Sequence, residues 1–369
     1  MASNSSLLIN ISASSLEPLD RSDFALIAAF SIIFIIGVIG NILVLYVFKF
    51  RTKKRLSTME RLILKLAIVD LLGSIFNPAL FVYWQITQNR AWHFGTVGCK
   101  IFPTILNVTD SVSIGIIVII ALDRCRVICN PFIRGYSTMQ INGALLVVLC
   151  TAVFLEIPRL IHAEVIPGLT CYVPESNKPS YAYPALLSLL LRDVSCSVIF
   201  VVIFHRMYHA LYDPDVIRLL GDQSQIKKRK AYVLLVVITI VFTVLVYPRD
   251  ILHIVFLIIS LSPYDMAPSK AILDLNTVLK ILRAVNSIIN VFIYARLHGK
   301  FRKSLKTMQT SLNRRRQAAI KKINHNHIIL SGLGTLETND VLEDNLCQNG
   351  HSVFDSYHSH NKNNTSSAE

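Results

Sequence analysis

Long apolar stretches alternate with short polar segments along most of the chain. Each apolar stretch reaches or exceeds the roughly 20 residues that a helix needs to cross a bilayer. The first, Phe24–Phe48, contains no Asp, Glu, Lys or Arg. The stretches cover residues 24–48, 62–86, 101–128, 139–161, 181–204, 231–261 and 272–297. The pattern predicts an all-α membrane protein, a seven-transmembrane helix bundle.

The polar segments predict how the remaining chain is organised. Residues 1–23 precede the bundle, which occupies residues 24–297. Residues 298–309 place apolar side chains at helical spacing against a basic side, which predicts a short amphipathic eighth helix on the membrane surface. Residues 310–369 are polar and rich in Asn, His and Ser, so we expect a disordered tail.

The distribution of charge favours a membrane protein over a nucleic-acid binder. Only 16% of the residues are charged, whereas soluble domains carry about 25%. The basic residues behind the net charge of +14 cluster after spans one, three and seven and before span six. Cytoplasmic loops are enriched in Lys and Arg. We therefore expect a plasma-membrane protein with an extracellular N-terminus, a cytoplasmic C-terminus and no nucleic-acid partner.

Two of the seven cysteines are predicted to face the extracellular side. Cys99 precedes span three, and Cys171 lies between spans four and five. Because that compartment is oxidising, we expect a disulfide between them. The N-terminal segment carries two N-glycosylation sequons on the same side, at Asn4 and Asn10.

Many ionisable side chains fall inside the predicted spans. Such residues are costly in hydrocarbon and face the interior of the bundle, where they mark a functional site by default. They also pair with one another and join helices, and the sequence leaves this alternative open. The residues are Asp70, Asp110, Glu156, Arg159, Arg192, Asp193, Arg249, Asp250, Lys280 and Arg283.

Span seven carries a polar stripe from Lys280 to Tyr294. Lys280, Arg283, Ser287, Asn290 and Tyr294 recur at steps of three and four, so they share one face of a helix. A continuous polar face is not exposed to lipid. The stripe is therefore predicted to face the bundle interior.

An acid and an arginine stand at the end of span three, in the stretch IIALDRCRVICNP at 119–131. Arg124 lies 25 residues after Cys99, about 37 Å at 1.5 Å per residue. That distance places Arg124 at the inner mouth of the bundle. Asp123 and Arg124 are either the first solvated residues of a helix leaving the membrane or parts of a switch.

Seven motifs occur in the order and at the depths seen in one receptor family. They are GN at 40–41, LAIVD at 66–70, WHFG at 92–95 with Cys99, DRC at 123–125, FTVLVYP at 242–248, NSIINVFIY at 286–294, and Phe301. The chain thereby resembles the rhodopsin-like, or class A, G-protein-coupled receptors. The resemblance covers residues 24–308, and peptide receptors are the expected lineage.

The resemblance implies a ligand-gated conformational switch and no enzyme. Asp123 would restrain Arg124 until the inner end of span six swings outward, and Arg124 would then meet a heterotrimeric G protein. Arrestin and a receptor kinase are the partners implied for the tail, and lipid surrounds the spans. The implied switch residues are Asp123, Arg124, Phe242, Pro248, Asn290 and Tyr294.

The resemblance also implies an allosteric sodium ion, and no other cofactor is expected. Its ligands would be Asp70, Ser113, Asn286, Ser287 and Asn290. A buried carboxylate among hydroxyl and amide oxygens suits a hard cation.

Several positions depart from the family pattern. Cys125 replaces the Tyr of DRY, Val291 replaces the Pro of NPxxY, and Val246 replaces the Trp of span six. Lys228 stands where some members carry an acid that pairs with the DRY arginine. A non-signalling scavenger of the same fold is therefore an alternative function.

The outer half of the bundle is predicted to be rich in cations. Leu106 stands where amine receptors carry their acid, which argues against an amine ligand. We expect instead a ligand with an anionic group, such as a peptide C-terminus, a fatty acid or a nucleotide. The cations are Arg159, Arg249, His253, Lys280 and Arg283. The expected ligand-binding residues are Asp110, Arg249, His253, Lys280 and Arg283. The alternative is that Asp110, Asp193 and Asp250 neutralise these cations.

Two other classes of protein fit the sequence less well. A transporter or channel would use the intramembrane charges as an ion path, but no internal repeat is present. An intramembrane hydrolase needs a metal or nucleophile cluster, and the sequence contains no HExxH motif.

Overall fold

The computed structural model describes residues 18–51, 56–130, 132–165, 171–173, 178–213, 222–262, 269–321 and 323. The predicted glycosylation sites at Asn4 and Asn10 lie outside the described residues, as does the tail from residue 324. The chain divides into two compact units, Met1–Leu305 and Lys306–Glu369.

The first unit is a bundle of helices. The helices are α1 (Arg21–Tyr46), α2 (Thr58–Ile86), α3 (Gly95–Cys129), α4 (Thr138–Leu155), α5 (Ile157–His162), α6 (Pro179–Tyr212), α7 (Asp222–Ser260) and α8 (Lys270–Leu297). Within the described ranges, seven helices are long and apolar enough to cross a membrane. They are all of these except α5, and they confirm the seven predicted spans. A short π-helix, Val47–Arg51, continues α1.

Polar side chains fix where three of the spans begin. In each, the N-cap side chain accepts a hydrogen bond from the N3 backbone, and the N3 side chain accepts one from the N-cap backbone. These reciprocal bonds satisfy amide groups that the helix itself leaves unpaired. The pairs are Asp20 and Asp23 in α1, Ser57 and Glu60 in α2, and Ser137 and Gln140 in α4.

The third span is the central element of the bundle. It packs against α2, α4, α6 and α7, whereas α1 packs against α2 and α8. Ile117 and Ala121 of α3 are fully buried. Apolar side chains of α4 and α6 such as Leu146 and Val201 are exposed, as expected of surfaces that face lipid.

A small hairpin covers one end of α3. Strand β1 (Glu164–Val165) pairs antiparallel with β2 (Cys171–Tyr172). The predicted disulfide between Cys99 and Cys171 is present and joins the hairpin to α3. We call this end of the bundle the disulfide end and the opposite end the Arg124 end.

Replacing Cys99 by alanine is expected to lower the stability of the bundle. The disulfide closes a loop with a sequence separation of 72, for which loop entropy suggests about 4 kcal/mol. The melting temperature of detergent-solubilised Cys99→Ala should therefore fall clearly below that of the parent. Cys150→Ala, an exposed cysteine on α4, is the control. Equal melting of the parent and both variants would contradict the expectation.

The amphipathic helix that follows span seven, predicted as an eighth helix, is anchored to the Arg124 end by aromatic and ionic contacts. Phe301 is fully buried and stacks on Phe48 with ring centroids 5.7 Å apart. Lys300 Nζ lies 2.8 Å from Glu60 Oε1. Burial lowers the pKa of His298, and its Nδ1 accepts a hydrogen bond from the Phe301 amide at 3.3 Å. The neutral imidazole therefore caps the helix start.

This helix, α9, covers residues 299–321 and so extends past the predicted end at 309. Residues 299–305 belong to the first unit. The run RRRQAAIK at 314–321 consists mostly of strong helix formers, which explains why helix continues where the polar composition suggested a disordered tail.

Candidate functional site

A cavity of 480 Å³ lies between the spans at the disulfide end. All the cationic side chains predicted for this region line it: Arg159, Arg249, His253, Lys280 and Arg283. Phe81, Trp84 and Phe256 contribute aromatic surface, and Cys171 and Val173 of the hairpin region contribute to the same wall. The cavity thus combines basic groups with an apolar lining, as ligand sites commonly do.

Arg283 is held at the floor of this cavity by two other helices. Its guanidinium donates to the Asp110 carboxylate of α3 and, at 3.0 Å, to Asn107 Oδ1. A third contact, 3.5 Å long, reaches Asp250 of α7. Asp110 was predicted to bind ligand, but it lies behind Arg283 as the buried partner of that side chain.

Arg192 of α6 completes the same charged group. It donates to Asp193 at 2.7 Å and to Asp250 at 2.5 Å, and it approaches Ser111 Oγ at 3.5 Å. Asp250 is only 1% exposed and accepts from both arginines. We call Asp110, Arg192, Asp193, Asp250 and Arg283 the ion cluster. It joins α3, α6, α7 and α8.

Two other cations of the cavity have no carboxylate partner among the described residues. Neither Arg249 nor Lys280 lies within 4 Å of a described carboxylate oxygen, and one terminal nitrogen of Arg249 is buried without a hydrogen bond. Lys280 Nζ lies 5.9 Å from the centre of the Phe81 ring. Arg159, in contrast, lies 3.6 Å from Glu156. Neutralisation by acids thus accounts for some of the predicted cations and not for others.

A second polar group lies deeper in the bundle, around Asp70. Ser113 Oγ donates to Asp70 Oδ1 at 3.0 Å, and Asn290 Nδ2 donates to Oδ2 at 2.8 Å. Asn286 and Ser287, the other predicted sodium ligands, are also buried. A buried carboxylate beside hydroxyl and amide oxygens matches the donor set of a hard monovalent cation.

The side chain of Asn41 explains why this region is closely packed. Its amide donates to the backbone carbonyl of Ser287 at 2.8 Å and to that of Gly37 at 3.0 Å. A Cβ built on Gly37 would lie 2.4 Å from Ser74 Oγ. Only glycine therefore permits this approach of α1 to α2.

At the Arg124 end, Asp123 and Arg124 form an ion pair between neighbours in sequence. Arg124 Nε donates to Asp123 Oδ2 at 3.1 Å, and the Arg124 side chain is 18% exposed. Asp123 is fully buried and also accepts from the Tyr136 amide at 2.9 Å. The pair is therefore oriented by the loop that follows α3.

Lys228 makes a contact that the sequence did not indicate. Its Nζ donates to the backbone carbonyl of Ile128, in the last turn of α3, at 3.2 Å. A lysine at this position thus connects α7 to α3, although it cannot pair with Arg124 as an acid would.

The remaining predicted switch residues lie in the core between these two ends. Phe242 and Val246 are buried, and Pro248 lies inside α7. Tyr294 is 1% exposed, and its hydroxyl has no hydrogen-bond partner among the described residues. A buried hydroxyl without a hydrogen-bond partner is energetically unfavourable.

Comparison with known proteins shows which protein family the chain resembles. The profile described as "7 transmembrane receptor (rhodopsin family)" matches residues 40–294, more than half of the chain. The C5a anaphylatoxin chemotactic receptor 1 of Canis lupus familiaris is 31% identical over 162 residues, which cover 42% of this chain and 45% of the relative.

Two further relatives are similar to about the same degree. The Homo sapiens C5a anaphylatoxin chemotactic receptor 1 is 30% identical over 39% of this chain and 40% of its own length. The gonadotropin-releasing hormone receptor of Octopus vulgaris is 30% identical over 41% of this chain and 37% of its own length. The matched part spans less than half of each relative, whereas the family profile covers nearly the whole bundle. The chain belongs to the rhodopsin family of seven-transmembrane receptors.

Proposed function

We propose that this chain is a cell-surface receptor that activates heterotrimeric G proteins when a ligand occupies the cavity. The observation that carries the proposal is the Asp123–Arg124 ion pair at one end of α3, with the cavity at the other end. The family is one of receptors rather than enzymes, and the chain is a multi-pass membrane protein. In the proposed topology the N-terminus and the disulfide end are extracellular, and the Arg124 end is cytoplasmic.

In the proposed resting state, α3 and α7 are held together beside Arg124. Asp123 restrains Arg124, and Lys228 connects α7 to the carbonyl of Ile128. Outward movement of the Arg124 end of α7 would break the Lys228 bond and make room for the G-protein α-subunit. Pro248 lacks a backbone N–H, so α7 can bend at that point.

The polar groups inside the bundle support a connection between the cavity and Arg124. The ion cluster joins the cavity floor to α7 through Asp250, and Asn290 joins α8 to Asp70. The hydroxyl of Tyr294, which has no hydrogen-bond partner among the described residues, lies beyond Asn290 in α8. We propose that a change at the ion cluster shifts α7 and α8, and that Tyr294 gains its missing hydrogen bond in the active state.

A sodium ion is part of the proposal. Asp70 and the oxygens of Ser113, Asn286, Ser287 and Asn290 would hold it, and a monovalent cation would balance the buried carboxylate. An ion at this position would stabilise the arrangement of α2, α3 and α8 in the resting state.

The ligand is proposed to be a peptide or a small molecule with an anionic group. The relatives are named for an anaphylatoxin and for a releasing hormone, which favours a peptide. Arg249 and Lys280 have no carboxylate partner among the described residues, which favours an anionic group on the ligand, and the aromatic lining favours an apolar portion. Arrestin and a receptor kinase are proposed as partners of the tail.

The proposal is tested by reading G-protein activation in cells that express the chain. Sensors for each G-protein class are read at rest and after addition of pooled peptides, lipids or nucleotides, and cells with empty vector are the control. Activation by one pool, only in cells with the receptor at the surface, is the expected result. Failure of every class, when a ligand binds at the surface, would contradict the proposal.

The departures from the family pattern favour one second candidate. Val246, Val291 and Cys125 stand where the motifs of the family carry Trp, Pro and Tyr. A receptor of the same fold and cavity that removes its ligand without signalling is therefore the second candidate. Ligand uptake without activation of any G protein would support this scavenger function. Movement of the ligand across the membrane would instead indicate a transporter.

A further inference from the structure

We infer that the cavity selects a ligand with a single carboxylate on an apolar stem, and that Arg249 and Lys280 bind that carboxylate. The inference rests on the proposed function only in taking the cavity as the ligand site. It narrows the anionic group of the ligand to a carboxylate, and it identifies which two cationic side chains of the cavity would bind that carboxylate.

The hydrogen bonds of the cavity wall decide which cations are available to a ligand. Arg283 already donates to Asp110, Asn107 and Asp250, and Arg159 is paired with Glu156. A ligand would have to displace a buried carboxylate to bind Arg283, and the displaced acid would then lose its counterion. Arg283 and Arg159 therefore hold the side chains of the cavity wall in place, and they do not bind the anionic group of the ligand.

Arg249 and Lys280 are in the opposite situation. Both line the cavity, and neither lies within 4 Å of a described carboxylate oxygen. One terminal nitrogen of Arg249 is buried and makes no hydrogen bond with the described residues. A buried donor without an acceptor is unfavourable, so an anion placed between α7 and α8 would satisfy it. Arg–carboxylate bonds are among the strongest hydrogen bonds in proteins.

The charge of the floor argues for one negative charge on the ligand rather than two. When all its members are ionised, the ion cluster contains two guanidinium groups and three carboxylates, which leaves a net charge of −1. Arg249 and Lys280 add two positive charges, so they and the floor together leave a net charge of +1 beside the ligand. A single carboxylate balances that charge, whereas a phosphate dianion exceeds it. The same charge balance disfavours nucleotides.

The rest of the cavity suits an apolar stem. Phe81, Trp84, Leu106 and Phe256 line it together with the two cations. A peptide with an apolar C-terminal residue and a medium-chain fatty acid both present a carboxylate on such a stem. These are two sources of one chemistry, and an experiment can separate them.

The test is the thermal unfolding of the purified receptor in the presence of matched probes. Octanoate is compared with octanamide and with octyl phosphate. The tripeptide Gly-Phe-Leu with a free C-terminus is compared with its C-terminal amide. We expect an acid to raise the melting temperature more than its amide, and octanoate to exceed octyl phosphate. A larger effect of the tripeptide acid than of octanoate would identify a peptide ligand, and the reverse order a fatty acid.

Two variants assign the effect to residues. Arg249→Gln is expected to weaken the apparent affinity for the effective acid by roughly tenfold or more, and Lys280→Gln should also weaken it. Arg159→Gln is the matched control, since Arg159 lines the same cavity but is paired with Glu156, and it should change the affinity little. Lys280→Gln keeps the assignment testable if Arg249→Gln does not fold.

Three results would overturn the inference. They are equal stabilisation by acids and amides in the parent, stronger stabilisation by octyl phosphate than by octanoate, and an equal loss in Arg159→Gln and Arg249→Gln. The measurement involves no G protein. A receptor that binds carboxylates but never signals would contradict the proposed function alone, and one that signals without acid selectivity would contradict this inference alone.

Discussion

Arg124→Ala is expected to abolish ligand-dependent G-protein activation without removing the receptor from the cell surface. Arg124 is partly exposed at the end of α3, and its only charged partner among the described residues is its neighbour Asp123. Truncating an arginine at the centre of an interface costs about 2 kcal/mol or more, which corresponds to roughly thirtyfold or more in coupling. The measurement is sensor activation at matched surface levels.

A complementary variant and a control separate a switch from a solvated helix end. Asp123→Asn removes the negative charge that restrains Arg124, and it should raise activation in the absence of ligand. Arg134→Ala changes an exposed arginine in the loop that follows α3, and it should leave most of the signal intact. If Arg124→Ala signals like the parent, Asp123 and Arg124 are only the solvated end of α3.

Asp250→Ala is expected to cause a large loss of stability in the bundle. Asp250 is the acceptor that Arg192 of α6 and Arg283 of α8 share, and it is almost fully buried. Its removal leaves two buried guanidinium groups short of a partner. Removing one partner of a buried ion pair costs about 3–5 kcal/mol.

The stability loss is measured as the melting temperature of the purified receptor and as the fraction that reaches the cell surface. Asp274→Ala is the matched control, because Asp274 is an exposed acid on α8. Asp250→Glu keeps the charge and should recover part of the stability. Equal melting of Asp250→Ala and Asp274→Ala would mean that the ion cluster contributes little to the fold.

The spans and the buried polar face of span seven were predictable because their signal is local. A run of apolar residues defines a span by its length alone, and the spacing of Arg283, Ser287, Asn290 and Tyr294 defines one helix face. Those side chains do face the interior. The disulfide followed from the predicted topology, since Cys99 and Cys171 were the two cysteines placed on the oxidising side.

The partners of the buried charges were not predictable in the same way. The sequence offered Asp110, Asp193 and Asp250 as counterions, but the choice among them depends on the rotation and depth of four helices. Arg192 forms ion pairs with its sequence neighbour Asp193 and with Asp250. Arg249 does not pair with its own neighbour Asp250, which pairs with Arg192 and Arg283 instead. Only the packed bundle distinguishes these cases, and they determine which cations a ligand can reach.

Contacts between distant polar side chains escaped prediction for a related reason. The pairing of Glu60 with Lys300 and the bond from Lys228 to the carbonyl of Ile128 join segments far apart in sequence. Glu60 lies in the first turn of α2, and Lys228 lies in a run of basic residues. Neither local pattern indicates the distant partner.

The π-helical segment Val47–Arg51 has a consequence for how this chain should be aligned with its relatives. A π turn usually holds one residue more than an α turn, so the chain gains a residue while the helix gains little length. An alignment with a relative that has a regular α-helix here needs a one-residue gap within 47–51. A gap placed in the following loop instead would misalign every position between the π-helical segment and that gap.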